Sequence, residues 1–276
     1  MSDFSEKQIH PNSRDCLRII QLTDTHIFAE NAGKLLGLNT RESFEAVLAR
    51  LMQEEIAPDL ILATGDLSQD ASEESYQYLL EKLQPLNIPC FWIPGNHDKP
   101  EVMQKILNHG NMMFEPHIVA GNWQIVMLDS SVPGKVYGNI SEPQLDFLQQ
   151  RISNNQQRHS LVVMHHQPVA VGSQWLDGLG IKNAPELFNA VASNDKETCF
   201  LWGHVHQDFV GEQAGVQLIS TPSTCVQFKP GSTEFSAGDE APGYRYLTLY
   251  PDGRVDSVLH RIHDIAFTVD YSIKGY

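Results

Sequence analysis

Five short stretches of this chain concentrate side chains able to hold metal ions. Asp24-Thr25-His26, Gly65-Asp66, Gly95-Asn96-His97-Asp98, His165-His166 and Gly203-His204-Val205-His206 bring aspartate, asparagine and histidine together in small packets. Nitrogen and oxygen donors of this kind suit zinc, manganese, iron or cobalt rather than a thiolate-loving ion. A set of two aspartates, one asparagine and four histidines is too large for one catalytic ion. Shared between two ions about 3.5–4 Å apart, it fits a site for phosphoryl transfer. One carboxylate must then bridge, and Asp66 is the natural bridge because the Gly65 turn lets it stand at a strand tip. In formal terms, two divalent ions against two aspartates and one hydroxide leave about one positive charge, enough to attract a phosphodiester monoanion. Adjacent strand residues point to opposite faces, so only one of His165 and His166 can face such a centre.

Each packet follows one of six short apolar runs that read as strands. The runs are Leu17–Leu22, Asp59–Thr64, Cys90–Ile93, Trp123–Leu128, Leu161–Met164 and Phe200–Trp202. Their lack of polar alternation fits strands covered on both faces. Ligands collect beyond the carboxyl ends of such strands, so five strand ends would deliver their polar residues to one rim. Helices are expected over Thr40–Glu54, with Phe44, Val47, Leu48 and Leu51 on one face, and over Ser72–Leu83, capped by Ser72. A third is expected over Ser141–Ile152, capped by Ser141 with Leu145, Leu148 and Ile152 inward, and a shorter one over Ala184–Ala192. The last third turns to strands: Val216–Ser220, Tyr244–Tyr250 and Val255–Ile262, the last two joined by a Pro251-Asp252-Gly253 turn. These elements imply a central mixed sheet, or two packed sheets, flanked by helices. Residues 1–15 read as a loose, flexible tail, and 16–276 as a single domain.

Composition narrows the function. Lys plus Arg number 19 against 34 Asp plus Glu, a net charge of −15, and no basic run is visible. So acidic a surface repels nucleic-acid phosphates and anionic lipid heads, which argues against a polymer nuclease or a membrane-surface protein. No apolar run approaches the ~18 residues of a spanning helix, and Met1 to Arg14 lacks the apolar stretch of a signal peptide. Cys16, Cys90, Cys199 and Cys225 stand far apart and read as buried, reduced thiols. A cytoplasmic protein is expected. The sequence leaves the oligomeric state open and is compatible with a dimer.

Taken in this order and at these separations, the packets resemble the calcineurin-like metallophosphoesterases. They are most similar to the class III bacterial cyclic-AMP phosphodiesterases. The likeness extends to Leu22-Thr23-Asp24-Thr25-His26, Ala63-Thr64-Gly65-Asp66-Leu67 and Ile93-Pro94-Gly95-Asn96-His97-Asp98, to the distal run Thr221 to Pro230, and to the terminal Gly275-Tyr276. The resemblance implies an α/β fold, a four-layer α/β/β/α sandwich of mixed sheets flanked by helices. It implies two metal ions, iron or manganese before zinc or cobalt. Asp24, His26, Asp66 and His206 would ligate the first ion, and Asp66, Asn96, His165 and His204 the second, which selects His165 over His166. Substrate contacts would come from His26, Asp66, Asn96, His97 and His206, with Asp66 and His97 catalytic and His97 protonating the leaving oxygen. The implied reaction is hydrolysis of 3′,5′-cyclic AMP to 5′-AMP, lowering a cyclic-nucleotide signal.

Other readings stand beside these. The metal packets alone fit hydrolysis of a glycerophosphodiester or nucleoside phosphoanhydride equally well, and only the distal run favours a cyclic nucleotide. A non-catalytic scaffold is disfavoured because all seven ligands are present. Asp98 and Asp70 are candidates to orient a histidine or to hold a turn. Trp175, Phe228 and Tyr244 suit either stacking on a base or core packing. Thr224 and Cys225 suit either a place near the base or a tight turn. His10, His109, His117, His159, His260 and His263 read as ordinary polar histidines.

Overall fold

Apolar strands without polar alternation need cover on both faces, and the chain supplies it by stacking two sheets and flanking both with helices. The computed structural model describes residues 6–263, 266, 268–273 and 275. Tyr276 of the terminal Gly275-Tyr276 pair, and residues 1–5 of the expected tail, lie outside them.

The first half runs β1 (Lys7–Gln8), β2 (Leu17–Leu22), a small hairpin β3 (Lys34–Leu35) and β4 (Leu38–Asn39), α1 (Thr40–Leu51) and β5 (Leu60–Thr64). It continues with α2 (Glu73–Leu83), β6 (Cys90–Ile93), α3 (Pro100–Leu107) and β7 (Met112–Met113). The second half runs β8 (His117–Ala120), β9 (Trp123–Met127), α4 (Glu142–Asn154), β10 (His159–Val163), α5 (Gln174–Asp177) and α6 (Ala184–Val191). After it come β11 (Thr198–Trp202), β12 (Phe209–Gln213), β13 (Val216–Ser220), β14 (Gly243–Leu249) and β15 (Val255–Arg261). One sheet has the order β15-β14-β2-β5-β6-β7 and the other β1-β8-β9-β10-β11-β13-β12. Both are mixed: β2, β5 and β6 are parallel, β14 is antiparallel to β2, and β9, β10, β11 and β13 are parallel with β12 antiparallel at the edge.

Three apolar clusters separate four layers. Ile19, Leu62, Phe91 and Ile93 face Ile125, Met127, Leu161 and Leu201 between the sheets. One residue along, Ile20, Ile61 and Trp92 face outward onto Phe44 and Leu51 of α1, Leu79 of α2 and Met103 of α3. Val126, Val162 and Phe200 do the same toward Leu148 of α4, Leu176 of α5 and Leu187 of α6. The period of two along each strand therefore feeds two different cores. The result is the four-layer α/β/β/α arrangement, with two packed sheets rather than one.

Local signals explain most boundaries. Asn39 caps α1 by accepting from the Arg41 and Glu42 backbone N–H groups, and Ser72 caps α2 by accepting from Ser75 N. α1 ends at Leu51 rather than Glu54. Ser141 occupies the cap position of α4 but its side chain caps nothing there; a proline in the first turn starts the helix instead. Residues 6–15 belong to the segment expected as a loose tail, yet Lys7–Gln8 pair with Ile118–Val119, and Asn12 N donates to Asp59 Oδ1 at 2.6 Å. α3 and β12 were absent from the sequence expectation. α3 is short and its Lys99 cap makes no side-chain bond, while β12 is largely exposed, is interrupted by Gly211, and pairs with the edge that β13 offers. Among the described residues no helix is long and apolar enough to cross a membrane.

The inter-sheet layer carries stability. Replacing the fully buried Phe91 by alanine is expected to cost about 3–5 kcal/mol in chemical denaturation. Val210→Ala, on the exposed edge strand β12, should stay within about 0.5 kcal/mol.

Candidate metal centre

The segments following β2, β5, β6, β10 and β11 meet at one rim, and the first two are zipped together past their strand ends. Asp24 N donates to Gly65 O at 3.0 Å, His26 N to Asp66 O at 2.9 Å, and Ile27 N to Leu67 O at 3.1 Å. Gly203 N reaches His165 O at 3.1 Å across the other sheet. Five residues of the expected ligand set have left-handed backbones: Asp24 (φ 55°), His26 (45°), Asp66 (48°), His204 (62°) and His206 (48°). For non-glycine residues this costs of order 1–3 kcal/mol each and persists only where the surroundings enforce it. Such a concentration of local strain marks a functional rim.

Those backbones aim the side chains at a common point. His165 Nε2 lies 3.2 Å from Asp66 Oδ2 and 3.9 Å from Asp24 Oδ1. His206 Nε2 lies 3.3 Å from Asp24 Oδ1 and 3.2 Å from His26 Nε2, and His26 Nε2 is 3.9 Å from Asp66 Oδ2. Two glycines permit this crowding. A Cβ on Gly65, itself at φ +91°, would stand 2.5 Å from His165 Nδ1, and one on Gly203 would run into Thr23 Oγ1 and approach Asp24 Oδ2 to 2.6 Å.

The outer atoms of these groups are tied down, which sets the inner ones. His26 Nδ1 donates to Gln69 Oε1 (2.6 Å), His165 Nδ1 to Thr64 O (2.9 Å) and His206 Nδ1 to Val226 O (2.7 Å). With Nδ1 protonated, each imidazole presents the Nε2 lone pair inward, the arrangement that orients metal-binding histidines. Asp24 Oδ2 accepts from Thr23 Oγ1 at 2.7 Å and both its oxygens accept from His204 N at 3.1 Å. Asp66 Oδ1 accepts from His97 N at 2.8 Å, leaving Oδ2 turned toward His165.

Whether these residues suit a metal can be tested on their leftover atoms. Asp66 Oδ2, Asn96 Oδ1, His165 Nε2 and both ring nitrogens of His204 are buried and make no hydrogen bond. A buried polar atom left this way costs about 1–3 kcal/mol, and a cation is what removes that cost for oxygens and nitrogens at once. Asp24, Asp66 and His165 offer donor atoms within 4.8 Å of one another, as do His26, Asp66 and His97. The donor set fits. Burial alone would raise the Asp24 and Asp66 carboxyls, but the imidazoles of His206 and His165 outweigh it: Asp24 is lowered and Asp66 falls well below the usual range. Burial likewise depresses His26 to about 3, whereas the two carboxylates overcome it at His165 and raise that ring to about 9. Without a cation the carboxylates thus hold a second proton on His165, at the Nε2 that faces Asp66; a metal ion would displace that proton and take up the lone pair.

The other candidates separate on geometry. His97 is half-buried with its ring 5.1 Å from that of His26, and it lines a cavity of about 300 Å³ together with Asn96 and His204. His206 lines a different cavity, of about 720 Å³, beside the distal run. His166 bonds through both ring nitrogens, to Ser130 Oγ (2.8 Å) and Val136 O (3.1 Å), although one of them lies within 4.8 Å of donor atoms on His165 and His204. Asp98 accepts from the Gly95, Leu67 and Ser68 backbone N–H groups and from the Tyr76 hydroxyl, so it holds the turn. Asp70 fastens the start of α2 through Ser72 and Ser68 and receives Ala29 N. Tyr244 sits in the outer core against α1, bonded to Glu54 and stacked on His260. Phe228 is buried with its ring stacked 4.1 Å over that of His206, while Trp175 faces the smaller cavity.

The distal run proves to be a brace behind the centre. Ser223 Oγ donates to Asp24 O (2.7 Å), Thr224 N to Thr23 O (3.2 Å), and Val226 O holds His206. Cys225 is not merely a core thiol: its sulfur lies 3.4 Å from Asp24 O, and His26, His206 and Cys225 have potential donor atoms within 4.8 Å. Gln69, Thr64 and Val226 escaped the sequence reading because two act through backbone carbonyls, for which residue type carries no signal.

Comparison with known proteins bears on the family and the fold. The calcineurin-like phosphoesterase family matches residues 17–208. The 3′,5′-cyclic adenosine monophosphate phosphodiesterase CpdA of Pseudomonas aeruginosa is 44% identical over 94% of this chain and 94% of its own. The CpdA of Escherichia coli is 41% identical over 94% and 95% respectively. In fold, a dimetal phosphatase from Danio rerio superposes with a TM-score of 0.61 at 14% identity, covering 90% of this chain and 99% of its own.

The crowding at Gly203 makes a sharp test. Gly203→Ala must push Asp24 aside, and the folded variant is expected to retain at least tenfold less transition metal than the parent by elemental analysis after dialysis. Gln69→Ala, which frees the outer nitrogen of His26, should weaken metal affinity about 10–100-fold.

Proposed function

This chain belongs to the calcineurin-like phosphoesterase family, and from that premise we propose that it hydrolyses 3′,5′-cyclic AMP to 5′-AMP at the centre described above. The observation that carries the reading is the convergence of buried donor atoms without hydrogen bonds on Asp66, Asn96, His165 and His204. Near full-length similarity to proteins named cyclic-AMP phosphodiesterases supplies the substrate.

In this proposal Asp24, His26, Asp66 and His206 would hold one ion and Asp66, Asn96, His165 and His204 the other. Iron or manganese is the native pair; the same donors accept zinc and cobalt. Once bound, the ions supply positive charge to the phosphate oxygens and lower the pKa of water toward ~7. The chain supplies position. The His97 N–H holds Asp66 Oδ1, and the tautomers of His26, His165 and His206 are set by Gln69, Thr64 and Val226. Asn96 brings a neutral oxygen, so the centre keeps a net positive charge for a monoanionic diester, and its amide nitrogen can donate to the phosphate. Water oxygen adds to phosphorus opposite the 3′ oxygen and releases one proton to solvent, the P–O3′ bond breaks, and His97 gives the departing oxygen its proton and is reprotonated from solvent. The proposal carries with it a cytoplasmic location and a role in lowering the cyclic-nucleotide signal.

Two measurements test it. Chelator-stripped protein should lose turnover of cyclic AMP and regain it with manganese or ferrous iron, with glycerophosphocholine turned over at least tenfold more slowly; the reverse preference rejects the assignment. His97→Ala should slow cyclic AMP hydrolysis by about 10²–10⁴-fold, the range for general-acid help, and slow an ester with a very good leaving group far less. Equal losses on both would remove the proton-donor role.

A further inference from the structure

The cavity beside the metal centre has an unlike lining: Asn96, His97 and His204 from the centre share it with Trp175, Phe235, Lys135 and Val136. The two aromatic rings meet edge to face, with centroids 5.1 Å apart and planes at 66°. They are held in place. Trp175 Nε1 donates to Ser232 Oγ at 3.0 Å and Gln174 N donates to Ser232 O at 3.0 Å. Trp175 also packs against Phe228 at 5.1 Å, and Phe228 stacks on the ring of His206. A chain of ring contacts thus fixes this aromatic corner relative to the metal centre. His166, whose Nε2 donates to Val136 O, fixes the opposite loop.

The corner has the chemistry of a base platform. Trp175 and Phe235 are both only half-buried, and Val136 keeps 49% of its surface exposed beside them. Water-exposed aromatic surface next to a phosphate-binding centre matches a substrate with a flat, uncharged ring at one end and a single negative charge at the other. A chain of net charge −15 repels that anion at long range, and Lys135 places a cation at the cavity wall. The sequence had offered Trp175, Phe228 and Tyr244 alike; burial removes the last two, and Phe235 and Lys135 enter only through the fold.

We propose that Trp175 and Phe235 form the subsite for the purine base of the cyclic nucleotide, and that Lys135 steers its phosphate toward Asn96 and His97. The proposal rests on the cyclic-AMP reading above and specifies which residues make it selective for a nucleotide over a bare phosphodiester.

Intrinsic fluorescence reads the subsite directly, because Trp92, Trp123 and Trp202 are each at most 1% exposed, whereas Trp175 is not. Metal-loaded protein should show saturable quenching by 5′-AMP and none by ribose 5-phosphate, and Trp175→Phe should remove the signal. In kinetics, the ratio of KM for base-free ribose 3′,5′-cyclic phosphate to KM for cyclic AMP should be about tenfold or more, the scale of one base–aromatic stack. Trp175→Ala and, separately, Phe235→Ala should bring that ratio toward one, and Trp175→Phe should recover most of it. Lys135→Gln should raise both KM values together. Equal quenching by 5′-AMP and ribose 5-phosphate, or an unchanged ratio in both alanine variants with cyclic AMP still turned over, overturns the subsite alone. A wild-type protein that leaves cyclic AMP intact overturns the function and the subsite together.

Discussion

Carboxylates and imidazoles cannot be packed together away from water unless something neutralises and coordinates them. Asp24, Asp66, His165, His204 and His206 are at most 1% exposed and share one small volume. Desolvating ionised groups is expensive, and the hydrogen bonds on their outer atoms do nothing for the inner ones. A cation answers that constraint, and the rest of the rim is arranged around it. Left-handed backbones at five of the expected ligand positions aim side chains inward, and Gly65 and Gly203 keep Cβ atoms out of the way. The strain is tolerable because it stands on two sheets whose packing is rigid.

The sandwich decides how precisely the donors meet. Four of the seven hang from the β2–β5–β6 sheet and three from β10 and β11 of the other. The apolar layer of Ile19, Leu62, Phe91, Leu161 and Leu201 fixes the gap between them. A buried polar chain at the top of that layer tightens the joint: Gln21 Nε2 donates to Thr64 Oγ1 (2.8 Å) and Trp202 O (3.2 Å), Thr221 bonds to Gln21, and Arg245 Nε donates to Thr221 Oγ1 (3.1 Å). Thr64 O in turn accepts from His165. Sheet packing and ligand orientation are therefore one structure, joined through Thr64.

The sequence reading failed where the decisive group was backbone or where a face had to be chosen. Tyr244 looked as fit to stack on a base as Trp175, but strand β14 turns it outward beneath α1. Cys225 is the buried, reduced core thiol that was expected, and its added contact with Asp24 O comes only from the path of the distal run. β12 carries too little apolar residue to be seen in isolation and forms by edge pairing with β13. Each outcome depends on contacts between residues distant in the chain, which local pattern does not encode.

What the sequence determined by itself is the alternation of buried strand and polar packet, because a strand covered on both faces must be apolar throughout and must release its polar residues at its end. That alone predicted β2, β5, β6, β10 and β11 within a residue or two, and it named the side chains that meet at the rim. Only the tertiary structure decided which atoms of those side chains face inward, which loop His166 serves, and which aromatics line the cavity. Those outcomes depend on partners such as Thr64 O, Val226 O and Ser232, brought within about 3 Å by the packing of two sheets. Distances of that kind exist only after the chain has folded.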